Sequence, residues 1–259
     1  MCGRYAITTA PEAVRRLFRY PEQPNFPPRY NVAPTQPVPI VRMVDGQRHF
    51  SLVRWGLIPS WVKDPKTFTL LINARGESVN EKPAFRNAMK RRRCLFPADG
   101  FYEWKGLSGR KAAYFARLKS GGPLAFAGLW ETWTGPNGEE METAAIITTD
   151  ANREMAQVHH RAPVIVPPDA FDFWLDTGNV DAKTAAALLA PAPNGSMQVY
   201  EVSPAVNRVA NDSPALIEPI DVGSTVVEAV PQPSTEKPSP QPTKRRRGAA
   251  KDGPQGSLF

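Results

Sequence analysis

The sequence predicts an α+β fold: a curved or barrel-like, mainly antiparallel β-sheet core with peripheral helices. Three observations lead there. Short segments rich in aromatic and β-branched residues recur, each bounded by Gly, Pro or Asp. Twenty-eight of the 259 residues are proline, about twice average usage, which breaks helix interiors and excludes a helical bundle. The remaining helical patterns are short. In chain order, Thr9 and Glu12 form the pattern of a capping box ahead of Ala13–Phe18. Pro21 to Pro39 holds seven prolines and reads as an extended surface wrap. Residues 84–92 read as a helix. Strand patterns follow at Cys94–Lys105, Ala113–Leu118, Pro123–Trp133, Thr143–Asp150, Ala162–Pro167 and Gln198–Ser203. Helical patterns at 169–175 and 181–190 interrupt the last of these.

Composition divides the chain. Residues 1–222 read as one folded domain of apolar and mixed segments, without an internal repeat. From Pro231 to Phe259 there are six prolines and six Lys/Arg against two acidic residues, and few apolar side chains before Leu258 and Phe259. Such a segment buries too little apolar surface to offset ordering entropy, so residues 223–259 are expected to be a disordered Pro/Lys/Arg-rich tail. The net charge of +7 then splits unevenly, with +4 on the last 29 residues and +3 on the rest. The two cysteines cannot build a disulfide framework, which points to a reducing compartment. No apolar run is long enough to span a membrane, and Met-Cys-Gly-Arg-Tyr lacks the pattern of a secretory signal. A cytoplasmic protein is expected.

Several residues carry chemistry. Initiator Met is ordinarily removed before a small second residue, which exposes Cys2. Its α-amine (pKa about 8) and thiol (about 8.5) sit on adjacent carbons, and a 1,2-aminothiol condenses with an aldehyde to a five-membered thiazolidine. The alternative is a cysteine placed by chance at a frayed end. Cys94 reads as a small core residue. In Leu71-Ile72-Asn73-Ala74-Arg75-Gly76-Glu77 an apolar run delivers Asn73, Arg75 and Glu77 at alternate positions, either on one face or at a strand end entering a polar loop. Glu103 lies between Tyr102 and Trp104. It is either partly buried, with its pKa raised into a useful range for proton transfer, or an exposed neighbour of Lys105. His159 and His160 are two of the chain's three histidines. No metal site is expected, because the cysteines lack ligand spacing and adjacent histidines on a strand point to opposite faces. One histidine as acid/base with Arg161 as anion ligand is the functional alternative to a paired surface histidine. Trp55 and Trp61 flank a WGLIPSW loop. With Arg4, Arg75, Arg86 and Arg161 they either form stacking platforms and phosphate ligands for single-stranded nucleic acid or belong to the core.

Taken together these segments resemble the SRAP family of SOS-response-associated peptidases, or abasic-site processing proteins. The resemblance rests on MCGRYA at the amino end, RYNVAPTQ (29–36), WGLIPSW (55–61), INARGES (72–78), CLFPADGFYEWK (94–105), HHRAPVIV (159–166) and VSPAVN (202–207), in family order and spacing. The family's four catalytic positions fall on Cys2, Asn73, Glu103 and His159. The resemblance implies a DNA-damage function: binding of single-stranded DNA with an abasic site and a thiazolidine crosslink through Cys2, after removal of Met1 that gives the family its peptidase label. It implies that Glu103 shuttles protons, that Asn73 holds the amino terminus and the sugar, and that His159 assists ring opening or release. It also sets Arg4, Pro34, Trp61, Arg75 and Arg161 along the DNA, with a further basic contact at Lys82 or Arg86. No cofactor is implied, and a monomer is expected. Two positions depart from the family: Ala162 stands where Met is usual, and Val62 where many relatives have a second aromatic.

The last five residues, Gln255-Gly256-Ser257-Leu258-Phe259, resemble the clamp-binding peptide of bacterial replication proteins, with Gln255 as the polar contact and Leu258 and Phe259 as the apolar pair. A tail that presents this peptide at its end has the form of a tether. A chance carboxyl terminus is the other reading. KRRR (244–247) reads as non-specific DNA attraction. Two competing functions use the same residues: a cysteine peptidase acting on other proteins, and a non-catalytic single-strand-binding module in which Cys2 is dispensable.

Overall fold

The structure, a computed structural model, describes residues 2–107 and 110–220, with only the backbone of Leu107 and Arg110. All lie within the expected domain 1–222; the tail, with KRRR and Gln255, Leu258 and Phe259, lies outside the described residues. In chain order the strands and α-helices are β1 (Arg4–Ile7), α1 (Pro11–Phe18), β2 (Arg29–Val32), β3 (Pro37–Val44), β4 (Gln47–Trp55), β5 (Asn73–Arg75), α2 (Arg86–Arg91), β6 (Arg93–Ala98), β7 (Gly100–Leu107), β8 (Arg110–Leu118), β9 (Leu124–Thr134), β10 (Glu140–Asp150), β11 (Arg161–Pro163), α3 (Phe171–Leu175), α4 (Ala182–Ala185) and β12 (Met197–Val202).

Two sheets form the core. One runs β12-β8-β7-β1-β2 and is antiparallel throughout. In the other, β10, β9, β6, β3 and β4 pair in succession, and a parallel β4–β10 pairing closes the ring. Closure removes exposed edges, and the expected α+β, barrel-like and mainly antiparallel core is the observed one. The short β5 and β11 both pair with the carboxyl half of β10, and Thr148 is the partner of Arg75 on one side and Pro163 on the other.

β6 is buried at every position, as the apolar run Cys94–Ala98 requires, with Arg93 at its start the one charged residue in it. Tyr5, Ile7, Trp55, Phe96, Phe101, Phe126 and Ile146 share one core cluster. Tyr5 meets Trp55 and Phe126 edge-on, with ring centroids 5.4 and 6.0 Å apart. The helices cover a second cluster: Phe18 of α1 stacks on Phe171 of α3 at 5.0 Å, and Trp174 Nε1 donates to the Cys94 carbonyl (2.8 Å). Cys94 is buried, as expected of a core residue.

The start of α1 differs from expectation. Ala10 is its N-cap, Pro11 opens it, and the Thr9–Glu12 capping box does not form. Thr9 is drawn away instead: its hydroxyl and the Thr8 amide both bond Asp99, and the Thr9 amide donates to Asp99 at 2.8 Å. Glu12 pairs with Arg15 (2.8 Å). A carboxylate that satisfies three donors outcompetes a local cap. The latch fixes β1 beside β7, and Gly100 permits the approach of the next strand, since a Cβ there would lie 2.6 Å from the Ala116 carbonyl.

Arg93, 1% exposed, ties α2 and α3 to the barrel. It donates to the carbonyls of Trp174 (2.6 Å), Met89 (3.1 Å), Asp176 (2.8 Å) and Val180 (2.8 Å). Arg93→Met leaves those acceptors without these donors, and a loss of at least about 3 kcal/mol is expected, read as a lower urea midpoint at unchanged slope.

Candidate functional site

The site is built on the first strand. β1 lies inside its sheet, between β7 and β2, so a chain end that ordinarily frays is held on both sides. Its register pairs Arg4 with Tyr102 and Tyr5 with Phe101, which brings Glu103 level with the residues that begin the chain. Cys2 is fully buried, and burial followed by the Glu103 charge pushes its thiol far above the ordinary cysteine range. The thiol is therefore protonated at neutral pH, and Sγ donates to the Arg4 carbonyl at 3.7 Å.

Asn73 arrives on β5. Trp55 Nε1 donates to the Ile72 carbonyl (3.0 Å), and Ile146 of β10 pairs with Asn73, so the strand that delivers it is fixed from the core. Asn73 Nδ2 then donates to the Cys2 carbonyl at 2.8 Å. Its Oδ1 is buried with no hydrogen-bond partner among the described residues, an acceptor in place for a donor at the amino end. Of the two readings of the tryptophans, Trp55 is core and Trp61 is 57% exposed, edge-on to Phe68 at 5.6 Å.

Glu103 is 3% exposed, which decides between its two sequence readings. Desolvation holds its carboxyl above the ordinary value of 4.5, although the positive α-amine at the chain's start pulls the other way. Holding the carboxyl above its ordinary value makes it a better proton donor than an exposed glutamate. His159 is partly buried, and burial, followed by the same terminal amine, holds it below the ordinary histidine value. The histidines do not lie on a strand facing opposite ways, as expected. They follow a single 3-10 turn (Met155–Gln157), and their rings stack at 4.5 Å.

The basic residues fall into two kinds. Arg75, Lys82 and Arg86 are exposed. Arg4 is anchored from behind, its Nη1 donating to Asn31 Oδ1 (2.6 Å) and to the Val206 carbonyl (2.8 Å). Trp104 Nε1 likewise donates to Asn207 Oδ1 (2.7 Å), so the VSPAVN segment braces both sides of the site. Arg161 is 6% exposed, and its guanidinium turns to Glu77 and Asp150. Pro34 is half-buried beside Thr35, whose φ of 71° marks a sharp loop. The departures are packed: Val62 lies against Ile58 and Trp133, and Ala162 joins the core containing Met155. Sequence reading assigned no role to Asp150, or to Asn31, whose partners Arg4 and Val206 lie 27 and 175 residues away, and gave Glu77 a face but no partner. Among the described residues no group of three or more His, Cys, Asp or Glu is placed to hold a metal ion.

Residues 1–209 match the family model of SOS response associated peptidase, SRAP. The chain belongs to this family. It is 39% identical over 222 residues to the abasic site processing protein YoqW of Bacillus subtilis, covering 84% of this chain and 99% of YoqW. It is 31% identical over 267 residues to the abasic site processing protein HMCES of Gallus gallus, covering 86% of this chain and 79% of HMCES. A crystal structure of a Bacteroides thetaiotaomicron protein covers 85% of this chain and 100% of its own at a TM-score of 0.74 and 26% identity. That of a phage-related protein from Bordetella bronchiseptica covers 78% of this chain and 94% of its own at a TM-score of 0.64 and 32% identity. Among the described residues no helix is long and apolar enough to cross a membrane.

The raised carboxyl of Glu103 sets a stability test. A group whose folded pKa is raised contributes stability below its unfolded pKa and loses it as pH rises through the folded value. Glu103→Gln is therefore expected to melt above the wild type at pH 7, with the gap closing as pH falls below about 4.5. Thermal unfolding across pH measures it.

Proposed function

We propose that this SRAP-family protein processes abasic sites by binding single-stranded DNA that carries one and linking itself to the lesion through Cys2. The observation that supports this most directly is the convergence at Cys2: Asn73 Nδ2 on the Cys2 carbonyl at 2.8 Å, beside a buried carboxyl, Glu103, that desolvation holds above its ordinary value. The names of the relatives agree with it.

The reaction uses the aminothiol of Cys2 once Met1 has been removed. The α-amine attacks C1′ of the ring-opened sugar, and the carbinolamine loses water to give an imine. The sulfur then adds to the imine carbon, the thiol proton passes to nitrogen, and the thiazolidine closes with one water released overall. A thiol held protonated by burial suits this order, with the amine attacking first and sulfur second. Glu103 moves the protons of dehydration and of its reversal, Asn73 holds the amino end in attack geometry, and His159 acts on the sugar. Arg4, Arg75, Lys82, Arg86 and Arg161, with Pro34 and Trp61, form the DNA-binding set. Exposed Arg75, Lys82 and Arg86 suit phosphates, exposed Trp61 suits base stacking, and Arg161 serves from within, through its hold on the His159 loop. Gln255, Leu258 and Phe259 tether the protein to the sliding clamp.

Wild-type protein lacking Met1, incubated with single-stranded DNA bearing one abasic site, is expected to give an adduct that survives denaturation. Cys2→Ala abolishes it, and Glu103→Gln slows its formation by about 10²- to 10⁴-fold. No adduct from the wild type, or one that persists in Cys2→Ala, refutes the mechanism; binding without an adduct favours the non-catalytic module, and cleavage of added peptides the peptidase. Deletion of 255–259 is expected to abolish clamp binding in a titration while adduct formation is unchanged; clamp affinity that survives the deletion removes the tether.

A further inference from the structure

His159 sits on a main chain that is held with unusual completeness. Its Nδ1 lies 3.0 Å from the Arg161 amide nitrogen and 3.2 Å from the Arg161 carbonyl oxygen. A main-chain amide always carries its hydrogen, so Nδ1 must meet it with a lone pair. A proton on Nδ1 would oppose the amide proton at the shorter of the two contacts, leaving the longer one to the carbonyl. The ring proton of the neutral imidazole therefore belongs to Nε2.

The Arg161 backbone cannot readily move to suit the other tautomer. Its side chain is nearly fully buried, and Nη1 and Nη2 donate as a fork to Glu77 Oε1 (2.6 Å) and Oε2 (2.8 Å). Nη1 also donates to Asp150 Oδ1 (2.9 Å), and Nη2 to the Thr148 carbonyl (2.8 Å). A bidentate, charge-assisted pair of this kind fixes orientation as well as position. Glu77 stands two residues after β5, Asp150 ends β10 and is the register partner of Arg161. One guanidinium thus joins the strand that carries Asn73 to the loop that carries His159.

We infer that Glu77, Arg161 and Asp150 form a positioning unit that locks His159 as its Nε2–H tautomer, so that His159 meets the sugar as a hydrogen-bond donor. The inference rests on the reading that His159 acts on the abasic sugar and deepens it. As the bond from C1′ to the ring oxygen breaks, Glu103 takes the proton of the C1′ hydroxyl and returns it to the ring oxygen, which His159 holds through its Nε2–H. Glu77 and Asp150 are positioning residues, since they act through Arg161.

The test is long-range ¹H–¹⁵N spectroscopy of the ¹⁵N-labelled full chain at neutral pH, with His159 assigned by the signals lost in His159→Gln. A pyridine-like Nδ1 and a pyrrole-like Nε2 are expected; the reverse pattern overturns the proposal. In Glu77→Gln the two shifts are expected to move toward each other, and adduct formation to slow by roughly 10- to 100-fold, as displacement of a reacting group does. Unchanged shifts and an unchanged rate in that variant overturn the positioning role. If Glu77→Gln fails to fold, Asp150→Asn carries the same expectation and the wild-type spectrum still decides the tautomer. A wild type that shows the expected shifts but makes no adduct refutes the crosslinking reading and leaves the tautomer assignment standing.

Discussion

Everything at the site depends on burying the chain's own amino end inside a β-sheet. β1 has neighbours on both sides, and Tyr5, Ala6 and Ile7 are fully buried. Ladder hydrogen bonds on two edges and core packing together offset the fraying that a terminus otherwise undergoes. Asp99 supports the arrangement at the far end of the strand, where it takes donors from Thr8 and Thr9. Without that anchorage neither the Asn73 contact to Cys2 nor the proximity of Glu103 would persist, because both are made to the first residue described.

The same burial sets the electrostatics. Removing water raises the Cys2 thiol and the Glu103 carboxyl, and lowers His159, in each case by disfavouring the charged form. The three groups are thereby biased toward neutral states. The domain loses stability at Glu103 in consequence, a cost that active sites commonly carry.

The α+β core was legible because strand signals are local: β6 carries the apolar run Cys94–Ala98 and β10 the run Ala144–Ile147, and the prolines excluded long helices. The α1 cap was not, because Asp99 reaches Thr9 from 90 residues away and a local rule does not contain it. The site divides in the same way. Glu103 could be suspected from its aromatic neighbours, yet only burial settled it. Trp55 and Trp61 bracket one motif and have opposite fates, one in the core and one exposed, because the first ends a barrel strand and the second sits on the loop that follows. Glu77 alternates with Asn73 and Arg75 in sequence, but the strand ends at Arg75 and a 3-10 turn carries Glu77 to Arg161. Periodicity placed the residue on a face; the partner was set by β10, which holds β5 and β11 on its two sides.

Net charge is a poor guide to where DNA specificity resides. Much of the excess belongs to the last 29 residues, and within the domain several arginines are committed to the fold. Arg93 caps carbonyls, Arg48 reaches Asp172 and the Phe18 carbonyl, and Arg161 is shared by two carboxylates. Among the exposed cations are Arg75, two residues after Asn73, and Lys82 and Arg86. Arg4 is intermediate, held by Asn31 and Val206 yet not fully covered. Long-range attraction to a polyanion can be supplied by a charged segment of almost any sequence, whereas Arg4 and Arg161 are held in fixed places by the domain itself.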